Sequence, residues 1–229
     1  MRFHLSIVVV VAALVAGGCG KKSTEAPRPD AAAAPSKAAK IRAVAPGDAQ
    51  ADLAHSQVQI SVIKDKDTKS PVVGRMMLTD GAVALSSPTP SARLSIDIDT
   101  IDTGVPIRNE RVRNIFFETS GVGWDTIEVV IPAIPAAVVA ALRDQRKVDQ
   151  AKLDATLRVH GRTVMTVLTV DASYSEDGRL TVKTSTPAQI KISDFTLSDN
   201  LHRLSSICMH DSIDDLVLVE ATLQFAPPK

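Results

Sequence analysis

Residues 57–62 alternate strictly: Val58, Ile60 and Val62 fall on one face of an extended chain, and Gln57, Gln59 and Ser61 on the other. A period of two marks a strand with one buried and one wet face. Residues 93–99 repeat the pattern, with Leu94, Ile96 and Ile98 turned inward and Ser95, Asp97 and Asp99 outward. Further alternating or apolar runs lie at 74–78, 82–85, 126–131, 153–159, 163–170, 180–184, 189–192 and 216–225. His160-Gly161-Arg162, between two of these runs, predicts the tight turn of a hairpin. Many short strands joined by Gly- and Asp-bearing turns predict an all-β domain, an antiparallel barrel or sandwich.

Two segments follow a helical period instead. In residues 107–117, Ile107, Val112, Ile115 and Phe116 gather on one side and Arg108, Arg111 and Arg113 on the other. Residues 135–148 open with Pro135, continue with strong helix formers and end on basic residues, the order that a helix and its dipole favour. Both are expected to be short helices between strands, the second capping the barrel or facing a partner. Residues 198–213 mix Leu201, Leu204 and Ile207 with polar positions and predict an irregular or briefly helical loop over one end of the barrel.

The first residues stand apart from this pattern. Arg2 precedes an apolar run from Leu5 to Ala16, shorter than the roughly 20 residues that span a bilayer, so residues 1–18 are expected to be an export signal. Ala16, Gly17 and Gly18 directly before Cys19 resemble the bacterial lipobox, which implies lipidation of Cys19. The alternative is an ordinary secretory signal. Residues 19–50, rich in Ala, Pro and Lys, are expected to form a disordered tether, leaving 51–229 as the folded domain. The implied location is the bacterial cell envelope, with the domain facing the periplasm. Gly20 stands where Asp would favour inner-membrane retention, so the outer membrane is slightly favoured. With Cys19 acylated, Cys208 has no partner within the chain, and no intrachain disulfide is expected.

Composition removes several functions. Equal numbers of acidic and basic residues, 26 each, give no field to gather nucleic acid, so none is expected as a partner. No nucleophile elbow, zinc-protease helix, Cys-x-x-Cys pair or phosphate loop occurs, so no catalytic residue and no cofactor is expected. Cys208-Met209-His210 offers soft donors, and Asp97, Asp99 and Asp102 offer oxygens. A buried apolar cysteine and a solvated strand face are the plainer readings, and no metal site is assigned.

Residues 95–104 (SIDIDTIDTG), then Arg108-Asn109-Glu110, Arg113 and Phe116-Phe117-Glu118, resemble the YceI-like family. Ala54-His55-Ser56, Leu157-Arg158-Val159-His160-Gly161 and Ile192-Ser193-Asp194-Phe195 fit the same likeness in the right order. Met76 departs from it where an aromatic is common, and Thr196 where Gly usually follows the Asp-Phe pair. The resemblance implies an antiparallel eight-stranded lipocalin-like barrel holding a polyisoprenoid. From strand geometry alone, a closed sheet of eight strands leaves room for one small ligand. The side chains expected to line it are Val58, Ile60, Val62, Leu94, Ile96, Ile98, Phe116, Ile127, Val129, Leu157, Val159 and Leu168. The expected partner is an isoprenoid or other apolar lipid, besides the membrane reached through the lipid anchor. The rival reading is a barrel filled by its own side chains that serves as an interaction module. Arg108, Arg111 and Arg113 are candidate headgroup contacts, with ion pairing to Glu110 and Glu118 as the competing role.

Overall fold

The computed structural model describes residues 48–226. The expected signal at 1–18, Cys19 and the tether as far as residue 47 lie outside the described residues. The strands are β1 Ala49–Gln50, β2 Gln57–Lys64, β3 Val72–Ala84, β4 Ser91–Asp102, β5 Thr126–Ile131, β6 Lys147–Val159, β7 Arg162–Tyr174, β8 Leu180–Thr184, β9 Ala188–Lys191 and β10 Ile213–Phe225. They pair antiparallel in the order β3-β2-β10-β8-β7-β6-β5-β4, and β4 pairs back onto β3. The sheet therefore closes into a barrel with eight strand positions. β8 pairs with Thr222–Phe225 of β10, and β9 with Leu216–Val219 of the same strand, so β8 and β9 are two pieces of one interrupted position.

The helices lie between strands. α1 Pro106–Arg111 runs into a π-helical turn Val112–Phe117, and the two together form a strap from β4 to β5. α2 Ala136–Gln145 joins β5 to β6, and α3 Ser198–Cys208 joins a 3-10 turn Ile192–Phe195 to β10. Strand directions put the strap, the β6–β7 turn and α3 at one end of the barrel, and α2 with β1 at the other.

Local sequence explains most of these boundaries. The two-residue loop of the β6–β7 hairpin has φ +50° at His160 and +75° at Gly161, the primed turn whose twist matches that of the strands. At Gly81 a Cβ would lie 2.8 Å from the Ala51 Cβ, so only glycine lets the chain after β1 lie across β3. The runs at 74–78 and 82–85, expected as two strands, are one strand, β3. A register shift between Leu78 and Asp80 absorbs the polar interruption, and Asp80 Oδ1 accepts the Gly81 N–H at 2.7 Å.

Three expectations need correction. The helix expected over 135–148 stops at Gln145, because Arg146 turns left-handed at φ +61° and β6 starts at Lys147. Residues 198–213 are chiefly a formed helix, α3, which buries Leu201 and Leu204 one turn apart. The folded domain, expected from residue 51, already includes β1, whose Ala49 is buried opposite Val83.

Candidate functional site

The core divides into two clusters. At the α2 end, Ile131, Ile134, Leu142, Ala151, Ala172 and Phe225 pack together, with α2 laid against β6. Toward the other end, Ile98, Phe116, Phe117, Val159, Phe195 and α3 form a second cluster. Phe116 and Phe117 meet edge to face, 4.6 Å between ring centres, and fix the strap against the barrel rim.

Between these packed ends the interior is hollow. An outer compartment of about 180 Å³ lies beneath the strap and α3, walled by side chains that include Val62, Ile101, Phe117, Leu201 and Leu204. An inner compartment of about 160 Å³ continues toward α2, walled by Val58, Leu94, Leu153, Leu168, Leu223 and their neighbours. Ile60, Met76, Ile127, Val159, Ile190, Phe195 and Val219 belong to both walls and form the waist between them.

Of the side chains expected on the wall, Val58, Leu94, Ile96, Val129, Leu157 and Leu168 line the inner compartment, Val62 and Phe116 the outer one, and Ile60, Ile127 and Val159 the waist. Ile98 does not line it. Fully buried, it packs in the cluster that contains Phe116 and Phe117, because the strap folds over the end of β4. Sequence reading missed the contributions of α3 and the 3-10 turn, namely Ile192, Phe195, Leu197, Leu201 and Leu204. The i, i+3 spacing of Leu201 and Leu204 was the available signal, and Leu197 extends it by one more turn.

The arginines have separate fates. Arg113 donates from Nη1 to the Asp99 carbonyl at 3.0 Å, and Arg111 Nη1 lies 3.6 Å from Cys208 Sγ. Arg108 alone of the three reaches the cavity wall. The expected pairing with Glu110 and Glu118 is corrected. Glu118 is turned toward α3 instead, accepting from Arg203 Nη1 at 3.2 Å and Asn200 Nδ2 at 3.2 Å. Asn200 Nδ2 also donates to the Phe116 carbonyl at 2.9 Å, so these contacts latch α3 to the strap.

Hydrogen bonding by Asn200, and then by Arg203, holds the Glu118 carboxyl below the usual glutamate range. His160 stacks on Trp124 at 3.8 Å between ring centres, and its Nε2 lies 3.4 Å from Glu118 Oε2 without hydrogen-bond geometry. The first turn of the strap is pinned by Asn109, whose Oδ1 accepts from the Thr103 N–H at 2.8 Å and Oγ1 at 2.6 Å. Its Nδ2 donates to Asp102 Oδ1 at 3.3 Å. Asp102 is held below the usual aspartate range by the Gly104 N–H and by Asn109. Residues 102–104 and Asn109 thus set the strap's position.

Cys208 is half-buried on the cavity wall, and His210 Nδ1 is 2.8 Å from Asp65 Oδ2. Among the described residues, no three His, Cys, Asp or Glu side chains are grouped to share a metal ion. What the geometry can do chemically is shelter an apolar chain from water.

The YceI-like domain model matches residues 50–225. Among solved structures, the chain is similar to a polyisoprenoid binding domain from Saccharophagus degradans implicated in plant cell wall breakdown, with 23% identity and a TM-score of 0.66 over 80% of this chain and 100% of that one. It is also similar to Burkholderia cenocepacia BcnA, with 21% identity and a TM-score of 0.55 over 76% of this chain and 98% of that one. No curated protein matches. At these identities the two structures speak for the fold, an antiparallel lipocalin-like barrel, and the family match over most of the chain establishes that this protein belongs to the YceI-like family.

Proposed function

We propose that this protein is a non-catalytic envelope protein that holds an isoprenoid or similar apolar lipid inside its barrel, as a carrier or buffer. The observation that carries this reading is the pair of neighbouring apolar compartments that share the wall residues Ile60, Met76, Ile127, Val159, Ile190, Phe195 and Val219. Each compartment is comparable to an apolar protein cavity of roughly 150 Å³ that stays dry and takes up benzene. A flexible chain that fills one compartment and threads the waist gains about 25 cal/mol for each Å² of apolar surface removed from water. Ordering the chain offsets part of that gain. The polyisoprenoid named for the Saccharophagus domain is a guest of this chemical type.

In the same reading, Cys19 carries the lipid anchor, with the protein in the periplasm and the outer membrane slightly favoured. β1 enters the barrel at the α2 end, opposite the strap and α3.

The test is purification of the full chain without added lipid, followed by solvent extraction and mass spectrometry. An apolar chain at near-stoichiometric yield is the expected result. Repeated absence of lipid, together with no uptake of offered isoprenoids, contradicts the reading.

A further inference from the structure

We propose that the rim of the outer compartment binds the acidic head of an amphiphile, a carboxylate or a phosphate, through Arg108, with Lys64 as a second cation. This rests on the reading above and narrows its ligand class from apolar lipids in general to anionic ones.

Three groups on the compartment wall carry basic nitrogen: Lys64, Arg108 and His210. Lys64 Nζ and His210 Nδ1 share one carboxylate, Asp65, at 3.6 Å and 2.8 Å. Asp65 is committed further, since its Oδ1 accepts the Asp211 N–H at 2.8 Å. Among the described residues, Arg108 has no carboxylate within ion-pair distance, whereas Arg111 and Arg113 are engaged with Cys208 and the Asp99 carbonyl. The nearest acids along the strap do not supply one. Asp102 Oδ1 already accepts the Gly104 N–H at 2.8 Å and an Asn109 N–H, and Glu110 is exposed.

The position of Arg108 is not left to chance, because its neighbour Asn109 is tied by two hydrogen bonds to Thr103. The backbone beneath Arg108 is thereby fixed, and a half-buried guanidinium beside an apolar wall is less screened than one in bulk water, so an oxyanion there gains charge-assisted hydrogen bonds. The same wall dictates the ligand's orientation. Leu153, Leu168 and Leu223 offer nothing to a charge, and burying one unpaired is prohibitive, so the tail goes in and the head stays at Arg108.

The experiment titrates the delipidated full chain with farnesol and farnesyl monophosphate, which differ only in the head, and repeats the comparison with hexadecanol and palmitate. The acidic member of each pair is expected to bind at least about tenfold tighter, the scale of one charge-assisted hydrogen bond. Arg108→Met should bring the acid-to-alcohol affinity ratio to about one, Lys64→Met should reduce that ratio about twofold to threefold, and Arg111→Met, off the cavity wall, should leave it intact. In the unaltered chain the preference should shrink as salt is raised, a readout independent of any variant's folding. Equal affinity for both heads, a preference that survives Arg108→Met, or one indifferent to salt overturns the proposal. Farnesol binding without preference sinks this proposal alone. Failure of all four compounds to bind sinks the lipid-binding reading with it.

Discussion

The two ends of the barrel are made from the same strands, yet they are finished differently. At the α2 end, small and large side chains share one apolar cluster, with Ala151, Ala155 and Ala172 among Leu142, Leu180 and Phe225. At the strap end, the closure is a latch: Glu118, Asn200 and Arg203 hold α3 over a void walled by leucines and phenylalanines. An interior filled to crystal-like density resists change, whereas a void roofed by a helix on a few polar contacts can open locally at small cost. Under the proposed function, the difference gives stability to one end and exchange of ligand to the other.

The sharpest way to break this comparison is truncation. Phe225→Ala at the packed end is expected to cost about 3–5 kcal/mol, measured by urea denaturation, since Phe225 is buried on every side. Leu168→Ala on the inner compartment wall should cost roughly 1–2 kcal/mol, because that side chain already faces empty space. Equal losses would remove the distinction between the two regions.

Filling the waist separates binding from stability. Val219→Phe, placed where both compartments meet, should lower prenyl-alcohol affinity at least about tenfold and shift folding free energy by no more than roughly 1 kcal/mol. A variant that binds normally would show that the tail does not thread the waist.

The latch gives a smaller, local effect. Glu118→Gln should speed amide exchange in α3 several-fold while leaving β6 and β7 unchanged. Because the Glu118 carboxyl is held below its ordinary value of 4.5, its contribution is present above that pH and is lost as pH falls through its depressed value in the folded protein. After correction for intrinsic exchange, α3 should therefore loosen on acidification below about pH 4.5, and the Gln variant should not respond. The smallest effect is expected at Thr196, a β-branched residue at φ +60°. Thr196→Gly relieves that strain and should raise stability by up to about 1 kcal/mol, less the loss of its hydroxyl contact with Arg162.

How much of this was legible in the sequence follows the same division. The strands were readable because one wet and one buried face forces a period of two, and ten of the eleven strand side chains placed on the wall by that period do line it. The exception, Ile98, obeys the period but lies under the strap, a tertiary event that alternation cannot register. The end of the helix expected over 135–148 was misplaced for a local reason: Arg146 adopts the left-handed conformation that glycine usually signals. Which of the three arginines would reach the cavity was not readable, since Arg111 is drawn to Cys208 and Arg113 to the Asp99 carbonyl by tertiary contacts.

The most direct test of the central claim is crystallographic: the full chain with a prenyl or alkyl phosphate carrying bromine at the end of its tail. The account expects the anomalous bromine peak inside the barrel beside Leu153 and Leu168, with the phosphate at Arg108. A bromine located outside the barrel, or a bound ligand that leaves both compartments empty, would contradict it.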